Sequence, residues 1–386
     1  MARLMRHLRH RIAGPLPELI RADRVELHAT GAQFFAALFG AIEQAQTLLC
    51  LEYYIIRADR TGSRLAEALT AAAGRGVQVF LLYDAIGCHD TPHAYFDELR
   101  RSGVQCLAFN PFSLRRGIRW YDRRDHRKLT IIDGQRAFLG GLNIGDEYAG
   151  LLDGEHSFHD VGFSLSGAAA VSLLSLFAAT WAQERGVFPA IPTLPSPIAA
   201  ARPGMAVVSL ISGSPHQQRS SIRAAFRVAM ASAVDELLIA NPYFIPGPRI
   251  IRSLLRAARR RVHVRLLLPA RSDVPLVRLV SRSSYEPLLK AGIEIFELER
   301  QPLHAKLMLI DRKRTVVGSA NLDQRSFHRN YEINAIIRST AFGSQVRELF
   351  ERDIASSRRI TLDGHARRGI VARLLETLFR PICWFL

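Results

Sequence analysis

One eight-residue pattern occurs twice in this chain and limits what it can fold into more than any other feature. His126-Arg-Lys128-Leu-Thr-Ile-Ile-Asp133 returns as His304-Ala-Lys306-Leu-Met-Leu-Ile-Asp311, both of the form H-x-K-x-x-x-x-D. A small pair and an Asn follow each copy, Gly140-Gly141-Leu-Asn143 and Gly318-Ser319-Ala-Asn321, with 17 residues from His to Asn both times. Lysine is scarce here: of 52 basic residues only Lys128, Lys290, Lys306 and Lys313 are lysine, yet two of them hold the matched position. Random placement would do that roughly once in 200 draws. Self-similarity over such a span means two copies of one structural unit.

The duplication reaches beyond the motif. Leu48–Ile55 parallels Leu237–Phe244, Val77–Leu82 parallels Val262–Leu267, and Gly103–Leu107 parallels Gly292–Phe296. After the motif, Asp160–Leu165 parallels Glu332–Ile337, and both run into helical patterns, Ala168–Trp181 and Ala341–Ile354. Short apolar β-rich runs alternate with segments of helical period such as Gly62–Ala73 and Arg249–Arg259, which predicts an α/β sandwich with a mostly parallel or mixed sheet in each half. The halves fall at 31–188 and 205–355, related by a pseudo-two-fold axis. A proline-dense linker (189–204) lies between them, a basic N-terminal arm (1–30) before them and a basic amphipathic tail (356–386) after them.

His126 and Lys128 stand at i and i+2 of an apolar run, so on a strand both point to one face. Asp133, seven residues on, has the opposite parity and sits at the far end. It reads as a structural residue, a turn former or the partner of a buried Arg or Lys, ahead of a catalytic one. Two imidazoles, two ammoniums and two amides suit a phosphodiester: one His attacks phosphorus and the other protonates the leaving alkoxide. The lysines and asparagines, with Ser319, would then hold the charged oxygens without a metal. One copy supplies half of this set, so the two motifs must face each other. A nucleophilic His needs its other ring nitrogen anchored by a carboxylate. Asp160 and Glu332, opening the strand after each motif, are the matched candidates; their alternative is a solvated strand-end charge.

Composition narrows the setting. The chain has 386 residues, 48% of them hydrophobic, and a net charge of +17, which points to polyanionic partners, nucleic acid or an anionic membrane. No run of about 18 apolar residues suggests a transmembrane helix, and no apolar run of about 7–15 residues follows the basic Met1–Arg11 as a secretory signal requires. The four cysteines show neither disulfide-scaffold nor zinc-ligand spacing. The C-terminal Gly369–Leu386 is too short to span and combines apolar spacing with Arg373 and Arg380. It reads as an interfacial anchor or, alternatively, as a C-terminal helix docked on the core. Of two arginine-rich runs, Arg115–Lys128 and Arg249–Arg265, the second lacks the interleaved aromatics of a single-strand nucleic-acid groove, while the first carries Trp120 and Tyr121.

Taken together, the doubled H-x-K-x4-D with its trailing small-x-Asn resembles the phospholipase D superfamily over nearly the whole chain. Leu51-Glu52-Tyr53-Tyr54-Ile55, Asp125-His-Arg-Lys128, Gly140-Gly-Leu-Asn-Ile144 and Ala240-Asn-Pro-Tyr-Phe-Ile-Pro246 look like its bacterial cardiolipin synthase branch, in the shorter form without paired N-terminal transmembrane helices. The resemblance implies a catalytic set of His126, Lys128, Asp133, His304, Lys306 and Asp311, with His126 as nucleophile and His304 as acid/base, a symmetry the residues themselves leave open. It implies phosphatidyl transfer between two phosphatidylglycerol molecules with no cofactor or metal. It also implies a peripheral enzyme on the cytoplasmic face of the bacterial inner membrane, with anionic phospholipid rather than nucleic acid as partner. The alternative is a phospholipase D or nuclease-type phosphodiesterase with water as acceptor.

Overall fold

The computed structural model describes residues 19–112, 119–189, 206–215, 220–369 and Glu376. Two strands come first, β1 (Ile20–Ala22) and β2 (Val25–His28). The first half continues with β3 (Leu48–Tyr53), β4 (Gln78–Asp84), β5 (Gln105–Phe109), β6 (Arg124–Asp125), β7 (Lys128–Ile132), β8 (Arg136–Gly140) and β9 (Gly162–Ser166). The second supplies β10 (Ala206–Gly213), β11 (Glu236–Ala240), β12 (His263–Pro269), β13 (Glu294–Leu298), β14 (Leu307–Ile310), β15 (Arg314–Gly318) and β16 (Asn330–Arg338), followed by β17 (Ser357–Ile360).

The duplication in sequence is a duplication in topology. One sheet runs β2-β9-β8-β7-β3-β4-β5, and the other contains β10-β16-β15-β14-β11-β12-β13, the same order strand for strand. In both, the two pairs after the central strand (β3-β4-β5, β11-β12-β13) are parallel and all others antiparallel. The parallel crossovers are helical because the sequence makes them so. Arg60–Gly74 buries Leu65, Leu69 and Ala72 at helical spacing and starts at Asp59, whose side chain accepts from Gly62 N at 2.9 Å. Its counterpart Pro248–Arg259 carries proline at its first position and buries Ile250, Leu254 and Ala257.

Each sheet is covered outside by its own helices, which explains two separate outer cores around Phe34, Leu38 and Leu65, and around Phe226, Ile250 and Leu254. Between the sheets lies one continuous core. Helices Ala168–Gln183 and Thr340–Ala355 bring Leu173, Phe177 and Trp181, and Phe342, Val346 and Phe350, against Leu129 and Ile131 of β7 and Leu307 and Leu309 of β14. Burying each large apolar side chain there contributes about 1.5–3 kcal/mol, so the halves are fixed to one another rather than tethered.

Two boundaries differ from the sequence reading. The segment assigned to a basic arm contains β1 and β2, which divide between the halves: β1 pairs with β10 of the second sheet and β2 with β9 of the first. Strands of three and four residues show no period to read, and it is the open edges of β10 and β9 that recruit them. The tail assigned from residue 356 likewise begins inside the fold. β17 extends the second sheet beside β13, with Arg358 bonded to Glu297 at 2.7 Å, and a short helix, Leu362–Ala366, stacks His365 on Tyr285. Of the candidate anchor 369–386, the stretches 370–375 and 377–386 lie outside the described residues; Glu376 is buried and ion-paired to Arg368 at 3.2 Å. Most of the 189–204 linker is also outside them.

Candidate active site

The two motif strands, β7 and β14, lie beside the central strands β3 and β11 and are wholly buried, so both His-x-Lys pairs project from the ends of strands held on both sides. What joins the halves at this level is a pair of short parallel bridges. β6, just before His126, pairs with Asn330 and Tyr331 at the start of β16, and His126 N donates to Tyr331 O at 3.0 Å. Symmetrically, Leu303 bridges His159, and His304 N donates to His159 O at 2.8 Å. Each histidine is thereby laid next to the carboxylate strand of the opposite half.

The carboxylate pairing is crossed as a result. His126 Nδ1 lies 3.0 and 3.1 Å from the two oxygens of Glu332, and His304 Nδ1 lies 2.5 Å from Asp160 Oδ2. Both carboxylates are fully buried. Glu332 also accepts from Ser319 Oγ at 2.5 Å and from Asn330 Nδ2 at 3.3 Å. Surrounded by donors, it holds the His126 tautomer with hydrogen on Nδ1, which leaves Nε2 as the free lone pair. Burial raises the Glu332 pKa to about 7.

The electrostatics of the imidazoles follow from burial beside cations. His126 has its proton affinity pushed well down by burial, then by Lys128, Lys306 and His304. His304 is lowered by burial and Lys306, but the charge of Asp160 works against that shift. Lys128 Nζ donates to His126 O at 2.6 Å, and burial brings its pKa down to about 7. Lys306 donates to His304 O, its Nζ stands 2.9 Å from His304 Nδ1, and burial lowers its affinity too. Tyr54 packs edge-on against His126 with Lys128 Nζ over its ring, while Tyr148 and Phe158 flank His304.

Other candidates fall differently. Asp133 and Asp311 are far-end structural residues, which corrects their place in the catalytic set. Asp133, in a left-handed turn (φ 51°), accepts backbone N–H groups of Gln46, Thr47 and Leu48 at 2.7–3.3 Å. Asp311 (φ 50°) does the same for Val234, Asp235 and Glu236. The reason is the seven-residue offset, which spans the whole strand and sets each Asp just past the end opposite its histidine. The Ser319 hydroxyl donates to Glu332 and accepts from Ile333 N (3.1 Å), which ties it to the carboxylate strand. Asn143 keeps Oδ1 on Ile55 N at 3.2 Å, and Asn321 has a buried Oδ1 with no hydrogen-bond partner among the described residues.

The first half also holds a buried charge network that the sequence pattern does not reveal. Arg127 joins Glu52 at 2.8 Å and Arg124 joins Asp84 at 3.2 Å, while Asp84 also accepts from Asp125 N at 2.9 Å. Burial drives the Asp125 pKa well up and Asp84 to about 6. These groups lock β6 and hence the backbone on either side of His126. The available signal was Glu52, a lone carboxylate inside the apolar run Leu48–Ile55.

Two topologically identical sheets that meet at facing His-x-Lys pairs with crossed carboxylates define a two-half protein of the phospholipase D type. The fold agrees: phosphatidylserine synthase of Haemophilus influenzae superposes with a TM-score of 0.73 at 12% identity, over 100% of this chain and 97% of that one. Residues 38–156 and 226–354 match the family described as "Cardiolipin synthase, PLD-like domain". The cardiolipin synthase of Geobacillus thermodenitrificans (strain NG80-2) is 36% identical over 97% of this chain and 74% of its own length. Cardiolipin synthase 2 of Bacillus anthracis is 34% identical over 91% and 68%, and cardiolipin synthase A of Pseudomonas entomophila (strain L48) is 36% identical over 88% and 70%. The chain belongs to the cardiolipin synthase family, phosphatidyltransferase enzymes of the phospholipase D superfamily.

Proposed function

We propose that this enzyme transfers a phosphatidyl group from one phosphatidylglycerol to a hydroxyl of a second, releasing glycerol. The observation that carries the proposal is the crossed pairing, which fixes Nδ1 of both imidazoles and turns both Nε2 atoms to chemistry. His126 Nε2 attacks phosphorus, forming a P–N bond as the P–O bond to glycerol breaks. Its low proton affinity supports the lone pair being available, and the Glu332 carboxylate offsets the charge that the ring acquires. His304, held at Nδ1 by Asp160, whose charge opposes the loss of proton affinity on burial, gives a proton from Nε2 to the departing alkoxide. The neutral His304 then takes the proton of the incoming hydroxyl, whose oxygen attacks phosphorus, and the P–N bond breaks to restore His126. Lys128, Lys306, Asn143 and Asn321 hold the equatorial oxygens through both steps. No step calls on a metal.

The enzyme works on a bilayer as a peripheral protein of the cytoplasmic face of the bacterial inner membrane. Among the described residues no helix is long and apolar enough to cross a membrane.

The test is mass spectrometry of products from phosphatidylglycerol vesicles, with and without EDTA, together with rapid-quench trapping. Cardiolipin and glycerol in equal amounts and a phosphatidyl adduct on His126 are the expected results, and the His304→Ala variant accumulates that adduct from an activated donor. Phosphatidic acid as the only product would make water the acceptor. An adduct on His304 in the His126→Ala variant would reverse the two roles.

A further inference from the structure

Helices Ser221–Ala231 and Pro248–Arg259 lie side by side on the outer face of the second sheet, and neither contains an acidic residue. On the first, Arg223 and Arg227 stand one turn apart. On the second, Arg249, Arg252 and Arg256 recur at helical spacing opposite the buried Ile250, Leu254 and Ala257. The five guanidiniums converge: Arg227 feels Arg249, Arg256 and Arg252, and Arg223 feels Arg249 and Arg227, so burial and mutual repulsion lower the affinity of both for their protons. None of the five meets a carboxylate among the described residues, although arginines elsewhere in the fold commonly do, Arg265 with Glu236 and Glu351 for instance. Arg227 Nε is buried without a hydrogen-bond partner there. Val228, next to Arg227 on the first helix, is 40% exposed.

The short helix Gln324–His328 links this face to the neighbourhood of His126. His328 Nε2 lies 2.6 Å from Arg223 Nη1 and belongs to the short helix Gln324–His328, which packs on the first of the two helices. Arg325 of that helix lies over the Tyr121 ring and is close enough to His126 to lower its proton affinity. Next to it, Arg329 bonds Asp122 at 2.9 Å. An uncompensated cluster of this kind is a standing electrostatic cost that a multivalent anion removes.

We propose that the Arg223–Arg227–Arg249–Arg252–Arg256 face is the surface by which the enzyme lies on an anionic phospholipid bilayer, with lipid phosphates seated between the two helices and the histidines opening beside it. The inference rests on the lipid reading of the active site and adds to it the orientation on the membrane. Charge favours phosphate headgroups, and the absence of aromatic stacking platforms in either helix other than the buried Phe226 favours a lipid surface over a nucleic-acid strand. The exposed Val228 is placed to enter the headgroup layer.

The experiment is vesicle flotation of the full chain with phosphatidylglycerol/phosphatidylcholine vesicles, pure phosphatidylcholine vesicles and duplex DNA. Arg249→Gln/Arg252→Gln/Arg256→Gln should weaken binding to the anionic vesicles about 100-fold, since each arginine near such a surface contributes about fivefold. The matching triple Arg→Lys variant should keep most of the affinity. Thermal unfolding of the glutamine variant should not fall, because like charges have been removed from a crowded face. Unchanged vesicle binding in a folded glutamine variant overturns the proposal, as does duplex DNA binding more tightly than the vesicles. Wild type that makes cardiolipin in detergent micelles but ignores anionic vesicles sinks the surface and spares the function. Wild type that floats with them but makes no phosphatidyl product does the reverse.

Discussion

Gly141 offers a direct test of the crossed carboxylates. A Cβ at this position would stand 2.4 and 2.5 Å from the two oxygens of Asp160, where an ordinary contact needs about 3.5 Å. The carboxylate must withdraw by about 1 Å, and it has little freedom, being fully buried with Oδ1 held by Val161 N at 2.8 Å. The same movement stretches its 2.5 Å bond to His304 Nδ1 to the limit of a hydrogen bond. Gly141→Ala should therefore cost about 10²–10³ in kcat/KM for phosphatidylglycerol, the range of a displaced general acid or its orienting group, and about 1–3 kcal/mol in stability. An activated donor whose leaving group needs no proton should show only a few-fold loss in single-turnover adduct formation. The second half suggests the remedy: at the matched place it has Ser319, whose hydroxyl bonds the longer Glu332. Gly141→Ser/Asp160→Glu should recover at least about tenfold over the poorer single variant, a coupling of about 1–3 kcal/mol. A Gly141→Ala rate within threefold of wild type, an equal loss with both leaving groups, or strictly additive effects in the double variant would each refute the reasoning.

Two further outcomes follow from the lysines. Lys128→Arg and Lys306→Arg should each lower kcat about 10²-fold despite keeping the charge, since a planar fork cannot occupy the buried space of an ammonium bonded to the histidine carbonyl; steady-state rates near wild type for both would remove lysine's special role. The pH profile of kcat/KM should be bell-shaped near neutrality. Below about 7 Glu332 gains a proton and loses its hold on His126 as an acceptor, and above about 7 Lys128 loses the charge that holds phosphate; the two limits belong to the interacting pair. In Lys128→Arg the alkaline limb alone should move up, and a profile that falls on that side unchanged would assign it to another group.

The repeat gave two like sheets, since matched apolar runs of matched length fold alike; strand parity put each His and Lys together, and the length of the strand put Asp133 and Asp311 at its other end. Asp160 and Glu332 were visible as matched carboxylates. Their partners were not. Glu332 lies 206 residues from His126 and Asp160 lies 144 from His304, and the link depends on how β6 meets β16 and how Leu303 meets His159.

Periodicity is a local property, set by backbone geometry and by which face of an element is apolar, so the chain alone determined its elements, its duplication and the chemistry each motif carries. The docking of one half on the other is set by a shared core of side chains distant in sequence. That docking decided which carboxylate serves which histidine, drew β1 and β2 into opposite sheets, and brought the arginines of two separate helices onto one face.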